Sequence, residues 1–226
     1  MDFVIKTFEQ RYVEDVAKLH CMALPRGFLS TLGTGFLGRL YLGIADADLS
    51  GVWVAVGYGD RCLGFISGSR DLHQCYRYVL RHGWFPLGIR LAGSLFRWRS
   101  IVHLSQTLAY PFRKLGADGD EKDEVIRLGR EVRAELLSIA VASEARGMGV
   151  GRALVEMLEQ YLLDCGHSGL YRVVTDAEDP RSNAFYDSVG FSLRGQFRHH
   201  EHTMALYTKA VGPGCGAMPN GQENCL

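Results

Sequence analysis

Nowhere in the 226 residues does an apolar run reach the ~18 uninterrupted positions that a membrane-crossing helix needs. The start, MDFVIKTFEQ, has no basic stretch leading into an apolar one, so no secretory leader is expected. Net charge is missing too: 25 Lys+Arg balance 25 Asp+Glu, without the basic excess on which phosphate-driven nucleic-acid binding draws. Cysteines are few and unpatterned. Cys21, Cys62, Cys75, Cys165, Cys215 and Cys225 form no CxxC pair and no metal-ligand spacing, so they read as reduced thiols and no metal is expected. These absences suggest a cytoplasmic protein with no integral membrane segment and no nucleic-acid partner, a monomer or homodimer.

The composition itself is that of a globular protein, 47% hydrophobic and 22% charged. Residues 2–8 read as a strand, followed by helical spacing in YVEDVAKLHCMAL and a second helix at 35–45 with Thr34 as its N-cap. VWVAVGYG and CLGFISGS read as two strands joined by a turn at Gly59-Asp60. Residues 72–117 carry seven basic residues and no acid, interleaved with Trp84, Phe85, Phe96, Trp98 and Tyr110, before the acidic run DGDEKDE at 118–124. Gly and Pro break this stretch, which reads as an insertion of short helices and loops. Beyond it, ELLSIAV is a buried-strand run, and Val150, Leu154, Met157, Leu158, Tyr161 and Leu162 share one helical face that Gly166 closes. YRVVTDA is a further strand. Asp179 with Pro180 opens a short helix that Gly190 ends, and a final hairpin follows, FSLRGQFRHH with HTMALYTKA. Residues 1–211 are therefore expected to form a single domain, with 72–130 inserted in it and 212–226 as a mobile tail.

Arg146-Gly147-Met148-Gly149-Val150-Gly151 lies between the buried strand and the amphipathic helix. Glycines there let main chain approach a ligand, and the first N–H groups of a helix suit an anion. A P-loop would require a Lys after the glycines, and a dinucleotide fingerprint a glycine or alanine where Arg152 and Leu154 stand. Neither fits. A turn that merely lets strand and helix pack is the plain alternative.

The strand, the R-x-x-G-x-G turn and the helix after it resemble the acyl-CoA-binding motif of the GNAT superfamily of N-acetyltransferases. Asn183-Ala184-Phe185-Tyr186 with Gly190-Phe191 is similar to that family's later segment. The motifs cover about residues 135–191, and the element order follows the family from residue 2 to 210. The resemblance implies an α/β GNAT fold, a mixed central sheet flanked by helices, with the insertion before the cofactor-binding strand. It implies acetyl-CoA as co-substrate, bound by main chain at Ile139, Ala140 and Val141 and by the N–H groups of Arg146, Gly147, Met148, Gly149, Val150, Gly151 and Arg152. Asn183 would reach the pantetheine or the acceptor side, and Tyr186 would stand near the sulfur as the acid. Glu135, at the head of the strand, is the candidate base, with a solvated carboxylate paired to a basic neighbour as the alternative.

The expected reaction is direct transfer of acetyl to a primary amine, whether amino sugar, small amine or protein amine. A non-catalytic acyl-CoA-binding module on the same fold is the rival. His199, His200 and His202 mark the last hairpin's tip, where a solvated turn is favoured over a metal pair. The insertion reads as a lid, a contact for an anionic acceptor or a membrane-surface face.

Overall fold

The computed structural model describes residues 2–25, 27–83, 120–199 and 202–212. β1 (Val4–Thr7) is followed by α1 (Val13–Ala23), α2 (Phe28–Thr31) and α3 (Thr34–Asp46), then by β2 (Ser50–Val56), β3 (Cys62–Ser69) and α4 (Leu72–Gly83). α5 (Asp120–Glu131) leads into β4 (Glu135–Val141), α6 (Val150–Asp164), β5 (Gly169–Asp176), α7 (Pro180–Ser188), β6 (Ser192–His199) and β7 (His202–Val211). The strands form one sheet in the order β1-β2-β3-β4-β5-β7-β6. Every neighbouring pair is antiparallel except β4–β5.

The expected order holds, with local differences. Gly33, not Thr34, caps α3, and Thr34 is its first helical residue. The first strand is shorter than residues 2–8, running Val4–Thr7; Phe8, just after it, is buried and its N–H bonds Val52 O at 3.0 Å. The first part of the insertion is a continuous twelve-residue helix, α4, capped by Asp71, whose Oδ1 accepts from Gln74 N–H at 3.1 Å. The acidic run at 118–124 enters α5. Residues 84–119 and 213–226, with Trp84, Phe85, Phe96, Trp98, Tyr110, Cys215, Cys225 and the expected tail, lie outside the described residues, as does His200. The turn at Gly59-Asp60 is present, with φ of 70° and 62°. Gly166 ends α6: its N–H bonds Leu163 O, and His167 N–H bonds Leu162 O. Gly190 ends α7 in the same way, with Phe191 N–H on Tyr186 O. Both glycines hold the left-handed φ that this paired closure demands, 71° and 89°.

Helices cover both faces. A Cβ on Gly64 would stand 3.4 Å from Leu154, and one on Gly68 would strike Leu158, so two bare positions let α6 lie close on β3. The next residue, Phe65, points to the opposite face, where its ring meets Tyr41 of α3 edge-on at 5.0 Å. α7 shares the α6 face, with Phe185 against Gly151. α5 sits on the other face, burying Val125, Leu128 and Val132 against Phe197 and Leu206.

Candidate functional site

β4 and β5 are paired at one position only, Glu135 with Arg172, and beyond it they part. The ladder on the other side of β4 fixes which main-chain groups face the opening. Ala142 N–H bonds Leu63 O at 2.8 Å, and antiparallel pairing alternates, so Ile139 and Val141 turn their N–H and C=O groups away from β3 into the gap. Ala140, between them, is spent on the ladder.

The gap leads to the turn at 146–149. Gly147 and Gly149 hold φ of 75° and 81°, and a Cβ on either would meet nothing within 4 Å. Their conformation, not crowding, calls for glycine. Gly149 is the N-cap of α6 and no side chain caps it. The first intrahelical bond is Ala153 N–H to Gly149 O, so the N–H groups of Val150, Gly151 and Arg152 have no helical acceptor and carry the positive end of the dipole. Gly151 differs from the other two. A Cβ there would fall 2.8 Å from the Phe185 ring, which makes it the contact that locks α6 to α7. Met148 is exposed, the Arg146 Nε lies 3.4 Å from Val141 O, and the Arg152 side chain reaches Ser188 O at 2.8 Å.

On α7, capped by Asp179 through Arg181 N–H, Asn183 donates from Nδ2 to Ala177 O at 3.0 Å, while its buried Oδ1 has no partner. A buried acceptor without a donor carries an unmet cost of about 1–3 kcal/mol. Tyr186 is enclosed by Phe185, Phe191 and Tyr207, ring centroids 5.4–5.8 Å away. Burial raises its phenol pKa, which keeps the proton on the hydroxyl through neutral pH.

Glu135 stands at the closed end of the gap. Ser67 pairs with Ser138 but Gly68 with Leu136, leaving Leu137 as an extra residue, a bulge that turns Glu135 onto the face occupied by α5. There its Oε2 accepts from Arg172 Nε at 2.6 Å; the Arg172 side chain is 2% exposed and that of Glu135 13%. Glu135 is thus paired to a basic residue on the neighbouring strand, and it is largely buried where the alternative reading had it solvated. Arg172 also donates from Nη1 to Gly129 O on α5. Arg172 escaped the sequence reading, although a lone charge inside the buried run YRVV was the available signal. Two other polar features were equally unmarked. The His20 Nδ1 and the Tyr41 hydroxyl lie 2.5 Å apart, with burial pushing the histidine pKa down to about 4. Asp71 and Arg133 form an ion pair at the ends of the insertion. Among the described residues, no group of three or more His, Cys, Asp or Glu could hold a metal ion, and no helix is long and apolar enough to cross a membrane.

Residues 115–191 match the Acetyltransferase (GNAT) family. Human N-acetyltransferase 8B is 37% identical over 73 residues, 31% of this chain and 31% of that protein; the match thus spans about a third of the relative's length. Two solved structures are similar over nearly the whole chain. The crystal structure of SsHAT has a TM-score of 0.60 at 16% identity, covering 94% of this chain and 100% of its own. A phosphinothricin acetyltransferase from Sinorhizobium meliloti in complex with acetyl-CoA has a TM-score of 0.56 at 15% identity, covering 97% and 94%. At such identities the likeness is one of fold. Strand, turn and both helices of the motif are in place on that fold, so residues 115–191 carry the likeness to the GNAT acetyltransferase family, and the fold around them is similar to that of solved acetyltransferases.

Proposed function

We propose that this protein is an N-acetyltransferase that moves an acetyl group from acetyl-CoA to a primary amine by direct attack within a ternary complex. The observation that carries the reading is the gap between β4 and β5, lined by main-chain groups of Ile139 and by the Val141 N–H, which the β3 ladder leaves unused, and ending at the uncapped N-terminus of α6. Two features fit a CoA thioester: the left-handed turn at Gly147 and Gly149 with its row of N–H donors suits a pyrophosphate, and the unpartnered Asn183 Oδ1 suits an amide N–H of the pantetheine arm. Bound there, acetyl-CoA supplies an acyl group activated by a thiolate leaving group.

The remaining work falls to this chain's residues. The Ile139 N–H can stabilise negative charge developing on the carbonyl oxygen. The Tyr186 hydroxyl, held protonated by burial, is the donor we assign to the departing sulfur. Glu135 engages Arg172 through Oε2; its other oxygen is the group we assign to receive, through water, the proton that the acceptor ammonium must lose. Acceptors of all three expected kinds, amino sugar, small amine and protein amine, remain in the proposal. The free thiols of Cys21, Cys62, Cys75 and Cys165 support a reducing, cytoplasmic setting.

Calorimetric titration with acetyl-CoA, with Gly149→Glu as control, tests the donor half. Micromolar binding that the variant loses is the expected result. A free-thiol release screen over glucosamine, spermidine and lysine peptides then tests transfer. Folded protein that binds no acetyl-CoA would overturn the reading, and binding without thiol release on any amine would favour the non-catalytic module.

A further inference from the structure

The gap between β4 and β5 has two faces. On one, α6 and α7 are locked together through Gly151 and Phe185 and hold the donor turn, so an amine can reach the thioester only from the other, the face of α1, α3 and α5. There the strands are joined at a single point, and that point is a buried ion pair. Arg172 makes three connections: its N–H bonds Ala134 O at 3.0 Å, its Nε bonds Glu135 Oε2 at 2.6 Å, and its Nη1 bonds Gly129 O near the C-terminal end of α5. One guanidinium therefore ties β5 to the head of β4 and both strands to the last helix of the insertion. His73 and Tyr76 of α4 lie within the electrostatic reach of the same pair. A geometry this rigid costs desolvation of two charges, and a well-packed apolar pair would give the same cohesion without that cost.

We propose that Arg172 is a positioning residue for the acceptor side of the reaction. It fixes the Glu135 carboxylate at the apex of the gap and holds α5 over it, so that the insertion's last helix forms one wall of the acceptor site. The proposal rests on the acetyltransferase reading above and adds to it a residue that touches neither the donor turn nor the sulfur.

Arg172→Met keeps the length of the side chain and removes the charge; Arg172→Lys keeps the charge and loses the fork. The expected result in Arg172→Met is a fall of at least ~10-fold in kcat/KM for whichever amine of the screen, glucosamine, spermidine or a lysine peptide, is acetylated fastest, with calorimetric acetyl-CoA affinity within ~2-fold of the parent. Arg172→Lys should recover part of the loss. Hydrogen exchange should show the amides of α5 released in Arg172→Met while β5 and β7 stay protected. A folded Arg172→Met with unchanged acceptor kinetics and unchanged α5 protection would overturn the proposal, as would an equal loss for donor and acceptor with no recovery by lysine. Should Arg172→Met not fold, Arg172→Lys decides: it keeps a charge beside Glu135 and loses the second bond to Gly129 O, so an acceptor-specific loss with acetyl-CoA affinity kept supports the proposal, and unchanged acceptor kinetics sink it. Failure of acetyl-CoA to bind the parent protein would instead strike the acetyltransferase reading, so the two failures are distinguishable.

Discussion

At its C-terminal end β4 presents main chain: the groups of Ile139 and the Val141 N–H that the β3 ladder leaves unused, a left-handed glycine turn and a helix start without a side-chain cap. At its N-terminal end, six residues back, the same strand is held by side chains, Glu135 to Arg172 and Arg172 to the Gly129 carbonyl. The first end leaves main-chain donors without a partner in the ladder or helix, and the second has made its own bonds. A main-chain site depends little on which side chains surround it and much on backbone angle. A side-chain junction depends on two residues 37 positions apart meeting in register.

The largest effect that could break this contrast is expected at Gly149. Gly149→Glu puts a carboxylate where N–H donors should face phosphate, and forfeiting two charge-assisted contacts corresponds to a loss of at least ~10³-fold in acetyl-CoA affinity. The left-handed φ of 81° costs a non-glycine residue about 1–2 kcal/mol, and a Cβ there meets no neighbour, so the fold should survive; undiminished binding would mean that the main-chain end receives nothing. Next in size, Tyr186→Phe should lower kcat by ~10²-fold while leaving acetyl-CoA affinity nearly unchanged, since the ring keeps its place among Phe185, Phe191 and Tyr207. A rate equal to that of the parent would put the acid elsewhere.

A third test sharpens the contrast on the side-chain face, where His20 is buried against Tyr41. Its folded pKa, about 4, lies below the unfolded value of 6.5, so the unfolded chain takes up a proton first as pH falls. The stability it contributes is present above pH 6.5 and lost between there and about pH 4, at most about 3 kcal/mol in all. Urea midpoints at pH 7 and pH 4.5 should show this drop, and His20→Gln should flatten it; an equal drop in the variant would assign the loss to carboxylates. The smallest change is expected at Asn183. Asn183→Ala removes the bond to Ala177 O, for about 1 kcal/mol of stability, and should weaken acetyl-CoA about 5-fold. If stability changes and affinity does not, the unpartnered Oδ1 faces no ligand.

The main-chain end of β4 was legible in the sequence because backbone angle writes itself into residue type. The glycine spacing at 147–151, Gly166 and Gly190 as helix stops, and Asp179-Pro180 as a helix start each require a conformation that few residues supply. Even there, spacing did not separate the glycines: Gly147 and Gly149 are set by φ and Gly151 by the Phe185 ring, a contact across two helices. The side-chain end was less legible. Glu135 was visible as a carboxylate at a strand head, but its partner follows from a parallel register and a bulge at Leu137, neither of which leaves a local trace. His20 and Tyr41 sit at core positions of two helices, and their pairing depends on how α1 crosses α3, where Gly38 lies under Val13.

The two ends of the insertion bear on how this protein can vary. Leu72 N–H bonds Arg133 O at 3.0 Å, and Arg133 pairs with Asp71 across the same neck, so β3 leaves and β4 returns through one clamp between neighbouring strands. Once such a neck is closed, the entropy lost in closing the chain between its ends grows only with the logarithm of its length, about 0.6 kcal/mol for each doubling. A change in the length of chain closed by this neck therefore costs the sheet little, and the register of β3 and β4 can stay as it is while that length varies.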